Sequence, residues 1–132
     1  MEFKFDTKTT YTVITPLVDV LDIDLTVKLA EKIKLAGDDK PGNFIIDLQE
    51  CKKADNKSFA EIADLHDWCY ENQHSLVFTG IQADVLQLMQ EEELTESLNI
   101  APTMVEAADI ISMEILERDL MAEEDGEWAD EI

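Results

Sequence analysis

Three groupings in this sequence have residue types and spacing that could do chemistry. The first surrounds Ser58, which follows Lys57 and lies close in sequence to Lys52 and Lys53. A phosphate on a hydroxyl at a helix start would meet free N–H groups and the positive end of the helix dipole. It would add about −1.5 to −2 charge and alter any partner surface there. Ser58-Phe59-Ala60-Glu61 is also a capping box, in which the hydroxyl and Glu61 each satisfy a free backbone N–H. Ser58 therefore has two readings, helix cap and phospho-acceptor, and the cap is the plainer.

The second grouping is His66 and Cys69, at i, i+3, with His74 shortly after. Zinc takes such ligands, but a fourth at suitable spacing is missing, so no metal site is assigned. A nucleophilic Cys–His pair must converge in an open cleft. Both residues instead fall in the apolar arc of a helix, which suits a core histidine with a satisfied nitrogen and a cysteine filling space. The third grouping is the carboxylates. Pairs arise here by composition alone, and neither Glu91-Glu92-Glu93 nor Glu123-Glu124-Asp125 has the ligand order of a calcium loop. Asp22 and Asp24 are weak substitutes for the acidic pair of a receiver domain, and Asp47 is a poor acceptor. Walker A, GxGxxG and GxSxG patterns do not occur. No catalytic residue and no cofactor follow from these residues, and the chain reads as a non-enzyme.

The elements that must position these groups alternate between strand and helix. Phe3 and Phe5 alternate with charged residues, as in a half-exposed strand. Tyr11 to Leu17 reads as a second strand, with Pro16 placing it near a sheet edge or a strand end. Asp22 or Asp24 caps a helix that stacks Leu25, Leu29 and Ile33 and stops at Gly37. Phe44 to Leu48 is a short apolar run of the buried-strand type. A helix from Ser58 to about Glu71 gathers Phe59, Ile62, Ala63, Leu65, His66, Cys69 and Tyr70 on one side. Ser75 to Thr79, closed by Gly80, is another buried strand, followed by a helix over 83–90. Leu98-Asn99-Ile100 reads as a last short strand. Thr103-Met104-Val105-Glu106, a second capping box, starts a helix with Met104, Ala108, Ile111 and Ile115 on one face. The expected fold is one α/β domain with a mixed sheet of four to five strands and about four helices.

Charge bounds the partners. The 132 residues carry 10 Lys+Arg against 31 Asp+Glu, a formal net charge of −21. Nucleic-acid phosphates and anionic membranes would both repel such a chain. No apolar run spans a bilayer, the first residues do not form a secretion signal, and Cys51 and Cys69 suggest neither a disulfide scaffold nor a zinc ribbon. A soluble protein of a reducing compartment, the cytoplasm, is expected. Residues 58–132 hold one basic residue, Arg118, and twenty acids. Residues 117–132 are expected to form an acidic tail, frayed or disordered, outside a domain over 1–116. That tail is either solubilising or an electrostatic arm for a basic partner, and Trp128 within it is either a short-motif anchor or inert. Trp68, a large aromatic beside Asp64, Asp67 and Glu71, is either an anchor for a protein partner or a ring lying on a neighbouring loop.

The order of these elements resembles a known family. Phe44-Ile45-Ile46-Asp47-Leu48, the loop Lys53-Ala54-Asp55-Asn56-Lys57-Ser58, Leu76-Val77-Phe78-Thr79-Gly80, and Ile100-Ala101-Pro102-Thr103 before Glu106-Ala107-Ala108 together look like a STAS domain, over roughly residues 3–116. STAS domains are the sulphate-transporter and anti-sigma-factor-antagonist domains. In the bacterial antagonist branch, the loop after the central strand usually reads Asp-Ser-Ser/Thr-Gly before an apolar residue. Its second hydroxyl is phosphorylated by a kinase that is also the anti-sigma factor.

The resemblance sets Asp55 on the aspartate and Phe59 on the apolar residue. Asn56 and Lys57 then stand where the hydroxyls would be, and Ser58 stands on the glycine. It therefore implies a divergent interaction module that binds an anti-sigma factor or serine kinase in bacterial transcription regulation. Asp55, Asn56, Lys57, Ser58 and Trp68 would form the partner surface. The usual acceptor is displaced to Ser58 or lost, and Lys57, a fixed cation, would make binding constitutive. Two rivals remain: a STAS-like accessory subunit of a membrane transporter, and an enzyme with an unrecognised site. The oligomeric state is left open.

Overall fold

Alternation along the strands sorts their side chains onto two faces, as a pleated sheet requires. Ile14, Phe44, Ile46, Leu76 and Phe78 point to one side and join the larger core. Val13, Ile45 and Val77 point to the other and pack with Ala101, Ala107 and Ile111. Both faces are therefore apolar, and helices cover both.

The computed structural model describes residues 2–37, 39 and 41–131, with side chains described as far as Ala122. The elements are β1 (Phe3–Thr7), β2 (Thr12–Pro16), β3 (Val20–Leu21), α1 (Ile23–Ala36), β4 (Phe44–Asp47), β5 (Lys53–Ala54), α2 (Phe59–Glu71), β6 (Leu76–Thr79), α3 (Ala83–Glu91) and α4 (Met104–Glu131). Short 3-10 turns span Asn56–Ser58 and Leu94–Glu96. The main sheet has the order β1-β2-β4-β6. β1 pairs antiparallel with β2, while β2–β4 and β4–β6 are parallel. Helices α1, α2 and α3 supply Leu29, Ile33, Ile62, Leu65, Val85 and Met89 to one side, and α4 lies on the other. The fold is α/β with a four-stranded mixed sheet and four helices, as expected.

Several local readings hold. Asp22 caps α1, accepting from the Leu25 N–H at 2.9 Å. Thr103 caps α4 through its hydroxyl, 3.2 Å from the Glu106 N–H. Pro16 ends β2, beyond the Thr12–Ile14 stretch that pairs with β4, so its missing N–H interrupts no ladder there. The alternative, an edge position for β2, is not what occurs.

Other readings change. Leu98-Asn99-Ile100 is not a strand; only a single bridge, Phe78 to Ile100, extends the sheet. A parallel ribbon of two residues a side, β3–β5, has no counterpart in the expected elements, because stretches so short carry no periodicity. The expected boundary at residue 116 falls inside α4, and the Arg118 guanidinium, just past it, donates to Ser75 Oγ at 3.0 Å and Asn43 Oδ1 at 3.1 Å. The side chains of Glu123, Glu124, Asp125 and Trp128 lie outside the described residues.

Candidate functional site

The β3–β5 ribbon sets the position of the loop from Lys52 to Ser58. Backbone N–H groups of Lys52 and Lys53 donate to Asp19 O at 2.7 and 3.1 Å, and the Asp55 N–H donates to Leu21 O at 2.8 Å. The loop is thus held against the segment that enters α1. Asp55 is extended (φ −97°, ψ 121°), and its carboxylate accepts from the Lys57 N–H at 3.0 Å, closing an Asx turn. That turn starts the 3-10 helix that runs into α2.

Ser58 sits beneath the turn. It is helical (φ −77°, ψ −15°), makes no side-chain cap, and has no solvent-exposed surface. Its hydroxyl donates to Asp55 O at 2.7 Å and lies 3.5 Å from Leu21 O. The expected capping box does not form, because the preceding 3-10 turn already carries the chain into the helix and Asp55 does the capping. The hydroxyl is a satisfied buried group joining the loop to β3. A kinase reaching it must first open the turn.

Above Ser58 the loop presents Lys52, Lys53, Asn56 and Lys57 to solvent. Asn56 Nδ2 donates to Glu92 Oε1 at 3.0 Å, tying the loop to the end of α3. Between them Lys52, Lys53, Ala54, Asp84, Val85 and Leu88 line a shallow depression of 320 Å³. The two lysines and Asp84 beside a short apolar floor, with Lys57 exposed on the same loop, suit recognition of a protein surface through shape and charge. Asp55, Asn56, Lys57 and Ser58 come together here, the last as support.

Trp68 does not join them. Ten residues further along α2, it is about 15 Å away along the helix axis. Its ring stacks on His74 with centroids 5.6 Å apart and planes 28° apart, and Lys34 Nζ lies 5.5 Å from the indole centroid. A Cβ on Gly37 would meet both rings. Of the two readings for Trp68, the ring lying on neighbouring structure describes this geometry.

The remaining candidates are occupied in packing. His66 Nε2 accepts from the Asn99 N–H at 3.2 Å, which places the ring proton on Nδ1. Burial lowers its pKa, opposed by Asp67 and Glu114. Burial pushes the Cys69 thiol up to about 12, and burial together with Asp19, Glu50 and Asp22 pushes Cys51 up to about 11. Neither is a thiolate near neutrality. Asn43 and Ser75, which hold Arg118, and the cluster of Tyr70, Asn99 and Glu114 escaped sequence reasoning. Tyr70 donates to Glu114 Oε1 at 2.7 Å and sits within hydrogen-bond reach of Asn99 and the Leu76 backbone, closing the outer edge of β6. One signal was available: Arg118 is the single basic residue among the last 75, so a specific duty for it was legible.

Compared with known proteins, the sequence matches no family model and no curated protein. Solved structures do match. An anti-sigma-factor antagonist (STAS) domain protein from Planctomyces limnophilus superposes with a TM-score of 0.69 at 16% identity, over 83% of this chain and 97% of that one. The anti-sigma factor antagonist SpoIIAA in its unphosphorylated form gives 0.65 at 16% identity, over 84% and 96%. The murine solute carrier 26 family member A9 anion transporter, inward-facing, gives 0.66 at 15% identity, over 82% of this chain and 18% of the transporter. The fold is that of STAS domains.

Proposed function

We propose that this protein is a non-enzymatic interaction module of the anti-sigma-factor-antagonist type. Its partner is an anti-sigma factor or serine kinase of a bacterial transcription-control pathway in the cytoplasm. The loop Asp55–Lys57, the first turn of α2 and the depression beside Lys52 and Lys53 form the docking face, with Ser58 supporting it from beneath. The observation that carries this reading is the inversion at the loop: the serine is fully buried and hydrogen-bonded, while a fixed cation, Lys57, is exposed. A face with a permanent charge and an inaccessible hydroxyl suits binding that phosphorylation does not switch. Fold likeness to anti-sigma factor antagonists supports the class of partner.

The same inversion favours one second reading. A STAS-like subunit attached to a transport assembly also has no use for a phosphoryl switch, and an anion transporter is among the proteins with this fold.

The experiment is affinity capture from source-cell extract with the full chain and with a Lys53→Glu/Lys57→Glu variant, followed by mass spectrometry of partners and phosphosites. The expected result is an anti-sigma factor or serine kinase, captured by the natural chain and lost with the variant, with no phosphate on Ser58. Transporter subunits lost in the same way establish the second reading. Capture that ignores the charge reversal refutes the docking face, and phosphate on Ser58 of the folded protein refutes the constitutive mechanism.

A further inference from the structure

Helix α4 has two apolar faces, and the sheet uses one. Ala107 and Ile111 are fully buried against Val13, Ile45 and Val77. At 100° per residue, Val105, Met113, Leu116 and Leu120 fall within an arc of about 80° on the opposite side. All four are exposed, by 48% to 71%. Four large aliphatic side chains stacked on one solvent face of a helix exceed the scattered apolar residues of an ordinary surface, and mark an interaction site.

Carboxylates lie within and beside this stripe. Asp109 falls inside the arc, one turn from both Val105 and Met113, and Glu106, Glu117 and Asp119 flank it; all four are exposed. The one basic residue of α4, Arg118, turns inward to Ser75 and Asn43. Among the described residues the only ion pair is Lys8–Asp6, so none of these four carboxylates is in one.

We propose that the outer face of α4 is a docking surface for a basic amphipathic helix of a protein partner. The aliphatic stripe would cover the partner's apolar face, and the carboxylates would pair with its flanking Lys and Arg residues. Charge selects this occupant. A second copy of the chain, itself at −21, would bring two sets of carboxylates face to face. An anionic bilayer would be repelled by the same carboxylates. The surface lies on the α4 side of the sheet, across from the loop at α2, and does not depend on the docking face proposed there.

The probe is a fluorescein-labelled synthetic peptide of about 18 residues, Leu along one helical face and Lys along the other, titrated with the full chain by anisotropy. Controls are a scrambled peptide of equal composition and a Glu-for-Lys peptide. The amphipathic basic peptide should bind at least about tenfold tighter than the scrambled one, and Leu116→Ser/Leu120→Ser should weaken it by about tenfold or more. Circular dichroism checks that this exposed double variant stays folded. Lys53→Glu/Lys57→Glu should leave peptide binding intact, which separates this surface from the loop. Equal binding of the scrambled peptide, or no effect of the double serine variant, overturns the proposal. So does a concentration-dependent dimer in sedimentation that Leu116→Ser/Leu120→Ser dissolves, since a second copy would then be the occupant.

Discussion

Replacing Ser58 by aspartate, the usual imitation of a phosphoserine, should damage the fold rather than switch it. The hydroxyl has no exposed surface and faces two carbonyl oxygens, Asp55 O at 2.7 Å and Leu21 O at 3.5 Å. Alanine at this position removes one donor. Asp55 O keeps a second donor, the Ser58 backbone N–H at 3.0 Å, so no acceptor is orphaned. The cost is then that of one net hydrogen bond, about 1 kcal/mol. Aspartate instead puts a carboxylate against two acceptors in a site closed to solvent. Desolvation and repulsion add, and several kcal/mol is the right order. Against a total stability of about 5–15 kcal/mol, that leaves a marginal fold. Urea unfolding of the natural chain, Ser58→Ala, Ser58→Asp and an exposed control, Ser112→Asp, would read this directly. The alanine midpoint should fall by about 0.5 M with an unchanged slope. The control should stay within about 0.5 kcal/mol, since adding charge to an exposed helix position disturbs little. Ser58→Asp as stable as Ser58→Ala would refute the burial argument, and the case for a constitutive docking face with it.

Three further outcomes follow from the same structure. Gly80 has φ +68°, and a Cβ there would collide with the Asp47 carboxylate that accepts from Gln49 N and Nε2. Gly80→Ala should therefore cost about 2–3 kcal/mol and lower the melting temperature by roughly 10 °C in a calorimetric scan. Both thiols should be silent to a disulfide reagent at pH 8 in the folded protein and react on unfolding; prompt reaction of either would contradict their raised pKa values. For His66 the folded-state pKa lies below its ordinary value of 6.5, so the folded protein resists the proton that the unfolded chain accepts. Its contribution to stability is present above about pH 6.5 and is lost as the pH falls toward the folded pKa. Denaturation at pH 7.5 and 5.5 should show a larger acid loss for the natural chain than for His66→Gln, and equal losses would be evidence against it.

Much of the fold was legible along the chain because it depends on neighbours in sequence. The run Phe44 to Leu48 states a strand buried on both faces, and Leu25, Leu29 and Ile33 state a helix facing a core. Asp22 and Thr103 announce helix starts, and Cys69 declares itself a core residue, with His66 half-buried beside it, by falling in the apolar arc of α2. These outcomes follow from period and local hydrogen bonding, which need no partner beyond a few residues away. The loop could be located in sequence, but its chemistry was inverted. A serine three residues before a glutamate caps a helix only if the chain enters that helix from an extended conformation. Here Asp55 closes an Asx turn first, and β3, more than thirty residues earlier, supplies the carbonyl against which Ser58 is buried.

Trp68 and Lys57 show the same division. Lys57 in the loop and Trp68 among the acids of the helix were grouped in one partner surface by the resemblance. Tertiary packing stacked Trp68 on His74 and left Lys57 in solvent, because long-range neighbours decide which exposed-face residues are covered. The α4 stripe completes the pattern: periodicity determined which residues share each face of that helix, and docking against the sheet decided which face remained open. Local periodicity and charge were properties of this sequence by itself. Burial of the loop serine, the inward turn of Arg118 and the uncovered face of α4 depended on contacts between distant segments, whose geometry no local pattern contains.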